Sequence, residues 1–171
     1  MRPVGDRIPL LILGLGNELM RDEGAGVHLA RRLMPDPPHG AVVLDLGTAV
    51  LDALPFLERA EAVIAIDAVR GTNPPGSLYR FELHRELASA APAPRGVPPM
   101  SLHEPDLAAA LRLLPPHRRP AVTVLGVEPA RVDVGLDLTE VVSASMPRLA
   151  ALVQAEADRL LQAGEPASGT R

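Results

Sequence analysis

Residues 8–33 read IPLLILGLGNELMRDEGAGVHLARRL, and this stretch decides the fold. Leu10 to Leu13 form an unbroken apolar run, the pattern of a strand covered on both faces. Gly14 and Gly16 let the backbone turn sharply where that strand ends. Asn17, Asp22, Glu23, Gly24 and Gly26 follow, and then Val27, Ala30 and Leu33 recur at helical spacing and predict a helix with these three inward. Asp22 and Glu23 therefore fall in the crevice beyond the carboxyl end of a central strand, where open α/β sheets bind ligands.

Working outward, AVVLDL at Ala41–Leu46 is a second strand with Asp45 at its end. Thr48 is the expected N-cap of a helix through Leu51, Leu54 and Leu57, kinked or interrupted by Pro55. AVIAIDAV at Ala62–Val69 is the most apolar strand and ends at Asp67. In Ser77–Leu83, Leu78, Arg80 and Glu82 alternate with Tyr79, Phe81 and Leu83, which predicts a half-exposed strand. Its connection to the preceding strand is too short for a parallel crossover, so the two are expected to pair antiparallel. Ala88–Pro99 is rich in alanine and proline and reads as a mobile loop. Ser101 and Glu104 have capping-box spacing ahead of a helix carrying Leu107, Ala110, Leu111 and Leu114. Ala121–Val127 is a last buried strand. Leu138–Ala163 is a long amphipathic helix starting near Thr139, with Pro147 in an early turn, and Gly164–Arg171 is an expected frayed tail. The order β-α-β-α-β-β-α-β-α predicts one α/β domain over residues 1–171. It is a three-layer α/β/α sandwich around a mixed, mostly parallel five-stranded sheet with one antiparallel strand.

Composition narrows the function. With 171 residues, 47% of them hydrophobic but only 2% aromatic, the chain can build one core, and it must do so from Leu, Val, Ile and Ala. A net charge of −4 without a basic stripe argues against a nucleic-acid partner. The absence of cysteine excludes disulfides, thiolate nucleophiles and thiolate metal sites. No run is long enough to span a membrane, and the N-terminal apolar run ends in glycines too early for a signal peptide. A soluble, cytoplasmic monomer without membrane insertion is expected.

Several residues carry chemistry. GLGNEL resembles a dinucleotide fingerprint, but Leu19 stands where its third glycine belongs and the helix starts late. Asp45 after the second strand keeps a nucleotide-binding enzyme among the alternatives. Asp22 and Glu23 near a helix start could serve the helix dipole alone. Asp67 is harder to explain so, because a carboxylate ending a strand as apolar as AVIAI is costly without a partner. His28, His39, His84 and His117 lie beside arginines or prolines and read as surface residues. His103 differs, sitting at a helix start just after the expected loop. Glu23, Asp67 and His103 form a mixed O,O,N set that suits a borderline divalent metal with open positions. No Ser/His/Asp constellation stands out.

These motifs resemble, nearly end to end, those of the hydrogenase maturation endopeptidases, which trim the C-terminal extension of the large subunit of nickel–iron hydrogenases. GLGNELMRDEGAGVHLARRL, VLDLGTA, AIDAV, MSLHEPDL, and then GVEP and GLDLTEVV follow the family's order. Many members carry two aspartates where this chain has Asp22-Glu23. The resemblance implies that Glu23, Asp67 and His103 recognise nickel already delivered to the precursor. The metal would thus be substrate-borne and bridged to the enzyme. It further implies either nickel-assisted or aspartic-type cleavage, with Asp22 or Asp45 as a candidate general base. The precursor is then the expected partner. A non-catalytic nickel-sensing chaperone of that precursor is the alternative.

Overall fold

A computed structural model describes residues 7–83 and 100–164. The expected loop at Ala88–Pro99, His84 and the tail beyond Gly164 lie outside the described residues. In chain order the elements are β1 (Ile8–Leu15), α1 (Ala25–Leu33), β2 (Ala41–Gly47), α2 (Leu54–Leu57), β3 (Ala60–Arg70), β4 (Leu78–Leu83), β5 (Met100–Ser101), α3 (Glu104–Arg112), β6 (Ala121–Val127) and α4 (Glu140–Gly164). Short 3-10 turns cover Arg21–Gly24, Val50–Ala53 and Pro116–Arg118.

The main sheet runs β2-β1-β3-β6-β4. β1 pairs parallel with β2 and β3, and β3 pairs parallel with β6. Alternation along each strand divides the core into two. Leu11, Leu13, Val63 and Ala65 pack with Leu57, Leu107 and Ala110 on one face. Leu10, Ile12, Ile64 and Ile66 pack with Leu29, Leu149 and Val153 on the other. Those two clusters make the three layers, and the central strands are apolar throughout because both their faces are covered. Among the described residues no helix is long and apolar enough to cross a membrane.

The structure corrects four local expectations. β4 is antiparallel but pairs with β6, from Leu78↔Val127 to Leu83↔Val122, and not with β3. β6 is buried along nearly its whole length and takes the covered slot beside β3. β4, with Arg80 and Glu82 exposed, takes the edge. A sixth strand, the two-residue β5, pairs antiparallel with the far end of β3 through Val69↔Ser101 and Arg70↔Met100. β3 thus continues three residues past Asp67. Thr48 caps nothing: the Val50–Ala53 turn has no side-chain cap, and Pro55 sits in the first turn of α2, where a missing N–H is harmless.

One charged cluster fastens α4 to the sheet edge. Glu156 is buried and accepts two 3.0 Å hydrogen bonds from Arg80, two from Arg159 at 3.1 and 2.6 Å, and one from Thr123 Oγ1 at 3.2 Å. Burial alone would raise this carboxyl, but the bonds from Arg159 and Arg80 overcome it and hold the pKa down at about 2. A folded-state pKa depressed from its ordinary 4.5 gives stability that is full above that value and lost as pH falls through about 2. Glu156→Gln should therefore cost about 2–3 kcal/mol at neutral pH and flatten the acid limb of the stability curve. Urea melts from pH 7 down to pH 2 check both.

Candidate functional site

The chain runs from β1 outward to β2, then returns to β3 on the other side of β1. This reversal opens a crevice at the carboxyl ends of β1 and β3. Two glycines let the backbone close around it. Gly16, at φ 133°, lies against the Glu23 carbonyl, where a Cβ would overlap that oxygen. Gly26 brings the start of α1 onto the Ile66 and Leu15 carbonyls with no room for a Cβ.

Asp67 is fully buried on β3, and its oxygens have four donors. Oδ1 accepts from Ala68 N at 2.8 Å and faces His103 Nδ1 at 3.0 Å. Oδ2 accepts from His103 N at 2.9 Å and from the Ser101 hydroxyl. This answers the cost of a carboxylate on an apolar strand. The pairing of β5 with β3 makes the arrangement possible, because it carries Ser101 and His103 back over Asp67. Ser101 therefore caps no helix. α3 begins at Glu104 with His103 as N-cap and no side-chain cap bond.

The Asp67 bond to Nδ1 fixes the tautomer of His103 and leaves Nε2 on the other side of the ring. Nε2 lies 3.5 Å from Glu23 Oε1. The hydrogen bond that its ring donates to Asp67 raises the His103 pKa above its ordinary value; burial opposes the rise, and Glu23 and Asp106 add to it. Glu23 sits in the 3-10 turn after β1 with 19% of its side chain exposed, against 7% for His103, so the pair opens mainly at the glutamate.

Glu23, Asp67 and His103 thus come together. They flank one imidazole from its two nitrogens rather than surrounding a common point. Among the described residues, no group of three or more His, Cys, Asp or Glu side chains is arranged to hold a metal on its own. Two ligands of a tetrahedral ion stand about 3.4 Å apart, so the 3.5 Å between Glu23 Oε1 and His103 Nε2 fits one ligand pair. Asp67 here supports the histidine, as carboxylates behind metal-binding histidines do.

The two candidate bases, Asp22 and Asp45, are held away from the imidazole. Asp22 is fully buried and both its oxygens are occupied. Oδ2 accepts from Ala130 N and Arg131 N, each at 2.9 Å, and Oδ1 from Thr139 N at 2.7 Å, while Thr139 Oγ1 lies within 3.0 Å of both. Asp45, in register with Gly14 and through it with Ile66, is two strands from β3, about 10 Å across the sheet. Its Oδ2 takes a 2.6 Å bond from Arg31, which also holds Glu18 at 2.5 Å. Neither has a free oxygen at the imidazole. Of the histidines read as surface residues, His39 and His117 are exposed, whereas His28 on α1 is half-buried with Nε2 unpaired.

Sequence reasoning missed Ser101, because S-x-x-E before an apolar run reads equally as a cap. It also missed Glu128, just after β6. This buried carboxylate accepts from Gly71 N at 2.8 Å and from the Tyr79 hydroxyl at 2.5 Å. It pins the 71–77 turn at the same sheet edge, and burial, with that bond, pushes the Tyr79 phenol up.

Known proteins share both sequence and fold. The family described as hydrogenase maturation protease, HycI, matches residues 27–156. The hydrogenase expression/formation protein HupD of Rhodobacter capsulatus is 37% identical over 131 residues, 72% of this chain. The match spans 59% of that protein's length, and 56% of the HupD of Thiocapsa roseopersicina. The hydrogenase 2 maturation protease of Escherichia coli is 30% identical over 141 residues, covering 79% of this chain and 82% of its own. The solved structure of the hydrogenase maturating endopeptidase HybD from E. coli superposes with a TM-score of 0.72 at 28% identity, over 91% of this chain and 93% of that one. A family match over most of the chain, sequence identity to its members and a shared fold lead to one assignment: the chain belongs to the hydrogenase maturation protease family.

Proposed function

We propose that this protein is an endopeptidase that removes the C-terminal extension of a nickel–iron hydrogenase large-subunit precursor, and that it reads the nickel already bound there. The observation that carries the reading is the Glu23–His103 pair. Its Nε2 and Oε1 atoms are 3.5 Å apart, with Asp67 holding the ring from behind. Two donors are too few to retain an ion and enough to complete the coordination of one presented by a substrate. That incompleteness suits an enzyme that must ignore precursors without metal.

The chemistry follows from the placement. Asp67 fixes the ring, so His103 can offer Nε2 without rearrangement. Glu23 contributes a carboxylate from the mouth of the crevice. Nickel clamped between enzyme and substrate can polarise the scissile carbonyl or acidify an attacking water. The buried surroundings strengthen each of these electrostatic effects.

Mass spectrometry of nickel-loaded precursor incubated with the pure protein tests the proposal. A precursor shortened at its C-terminus is the expected product. A stable complex with an intact precursor would instead identify a nickel-sensing chaperone. A second test uses inhibitors. The chain has no cysteine, and Ser101 is 2% exposed and bonded to Asp67. Thiol reagents and serine-directed phosphonates should therefore leave processing unchanged, and inactivation by a phosphonate would refute the reaction class.

A further inference from the structure

We propose that Asp22 is the positioning residue of this site: it locks the turn bearing Glu23 to the 130–139 segment and so sets the distance between Glu23 and His103. The inference rests on the reading of Glu23 and His103 given above and assigns a role to a carboxylate that does not touch the imidazole.

Four observations carry it. Asp22 is fully buried, yet all the partners of its carboxylate lie more than a hundred residues away, on Ala130, Arg131 and Thr139. Three of the bonds come from backbone N–H groups, which a carboxylate satisfies well. Thr139 stands just before α4 and its carbonyl accepts from Ser143 N, so the clamp also anchors that helix start. The neighbouring backbone is joined to the same segment: Gly135 N donates to Leu19 O at 2.9 Å, Arg21 N to Gly135 O at 2.8 Å and Asp22 N to Arg131 O at 3.3 Å.

Between these bonds Arg21 adopts φ 47°, the one described non-glycine residue at positive φ. A left-handed residue of this kind persists only where its surroundings over-determine it. It turns the chain so that of two adjacent acids, Asp22 goes into the clamp and Glu23 goes to His103. Releasing the clamp removes that constraint, and Glu23 shifts with its turn.

The test compares Asp22→Asn, Thr139→Val, Thr139→Ser and Glu23→Gln. An asparagine at 22 presents an amide donor to backbone donors, so it breaks the clamp with almost no change in shape. Amide hydrogen exchange at Ala130, Arg131 and Thr139 should speed up at least about tenfold in Asp22→Asn. KM for nickel-loaded precursor should rise about tenfold while kcat falls less than about threefold, since recognition is disturbed and no reacting group is lost. Thr139→Val should show the same pattern more weakly, adding little in combination with Asp22→Asn, and Thr139→Ser should behave as the parent. If Asp22→Asn does not fold, Thr139→Val carries the comparison.

Two results overturn the clamp. One is a loss of kcat of about a hundredfold or more with these amides still protected, which would make Asp22 itself a reacting group. The other is unprotected amides with kcat and KM both unchanged. Glu23→Gln separates the levels: if it processes normally, the site reading fails; if it is inactive while Asp22→Asn gives either overturning result, only the clamp fails.

Discussion

His103→Ala should melt within about 5 °C of the parent and process nickel-loaded precursor at least about a hundredfold more slowly. The two expectations come from different bonds. Removing the ring deletes one of four donors to Asp67; Ala68 N, the Ser101 hydroxyl and the backbone N–H at position 103 remain. The fold is therefore little disturbed. The site, however, loses the nitrogen donor that the proposal assigns to the metal. Changes in groups that merely support a ligand already cost about 10–100-fold, and this change removes the ligand. His117→Ala, on an exposed 3-10 turn, should process at the parental rate. Melting curves and cleavage rates for both variants decide the matter.

Asp67→Asn should fail on both counts. The side chain keeps its volume, but an amide nitrogen replaces one oxygen that meets only donors. Oδ1 faces Ala68 N and His103 Nδ1, and Oδ2 faces His103 N and the Ser101 hydroxyl. Whichever way the amide turns, a backbone N–H is left against an NH2 group in a fully buried position. An unsatisfied buried donor costs on the order of 1–3 kcal/mol, which lowers the melting temperature of a chain this size by about 3–10 °C. Processing should fall about as far as in His103→Ala, because the imidazole loses the carboxylate that sets its tautomer and aim. A variant that melts with the parent and cleaves normally would contradict this assignment of Asp67.

The strands were legible because their apolar runs are unambiguous. Leu10–Leu13, Val63–Ile66 and Val122–Val127 are covered on both faces, and nothing but a central strand explains them. The slot taken by β4 was not legible. A short turn fixes the direction of the next strand relative to its predecessor but not its neighbour, and β6, far later in the chain, takes the place between them. Ser101 was visible as a residue but not as a partner, because the strand pairing that brings it to Asp67 is only two residues long.

Glu23, Asp67 and His103 were legible as chemistry, since a buried acid on an apolar strand and a histidine at a helix start both need explanation. Their division of labour was not. Which of two adjacent acids faces inward depends on the backbone of Arg21, and a left-handed arginine leaves no mark in the sequence. Asp45 ends its strand at the same sheet edge as Asp67, but only the strand order shows that β1 lies between them.

The most direct measurement is a paired cleavage assay on one precursor, prepared with and without nickel and followed by intact mass over time. With the parent enzyme, the nickel-loaded precursor should lose its C-terminal extension while the nickel-free precursor stays whole. With Glu23→Gln or His103→Ala, neither should be cut at a comparable rate. Equal cleavage of the loaded and nickel-free precursors by the parent, or undiminished cleavage of the loaded precursor by folded His103→Ala, would contradict a site that reads the metal through Glu23 and His103.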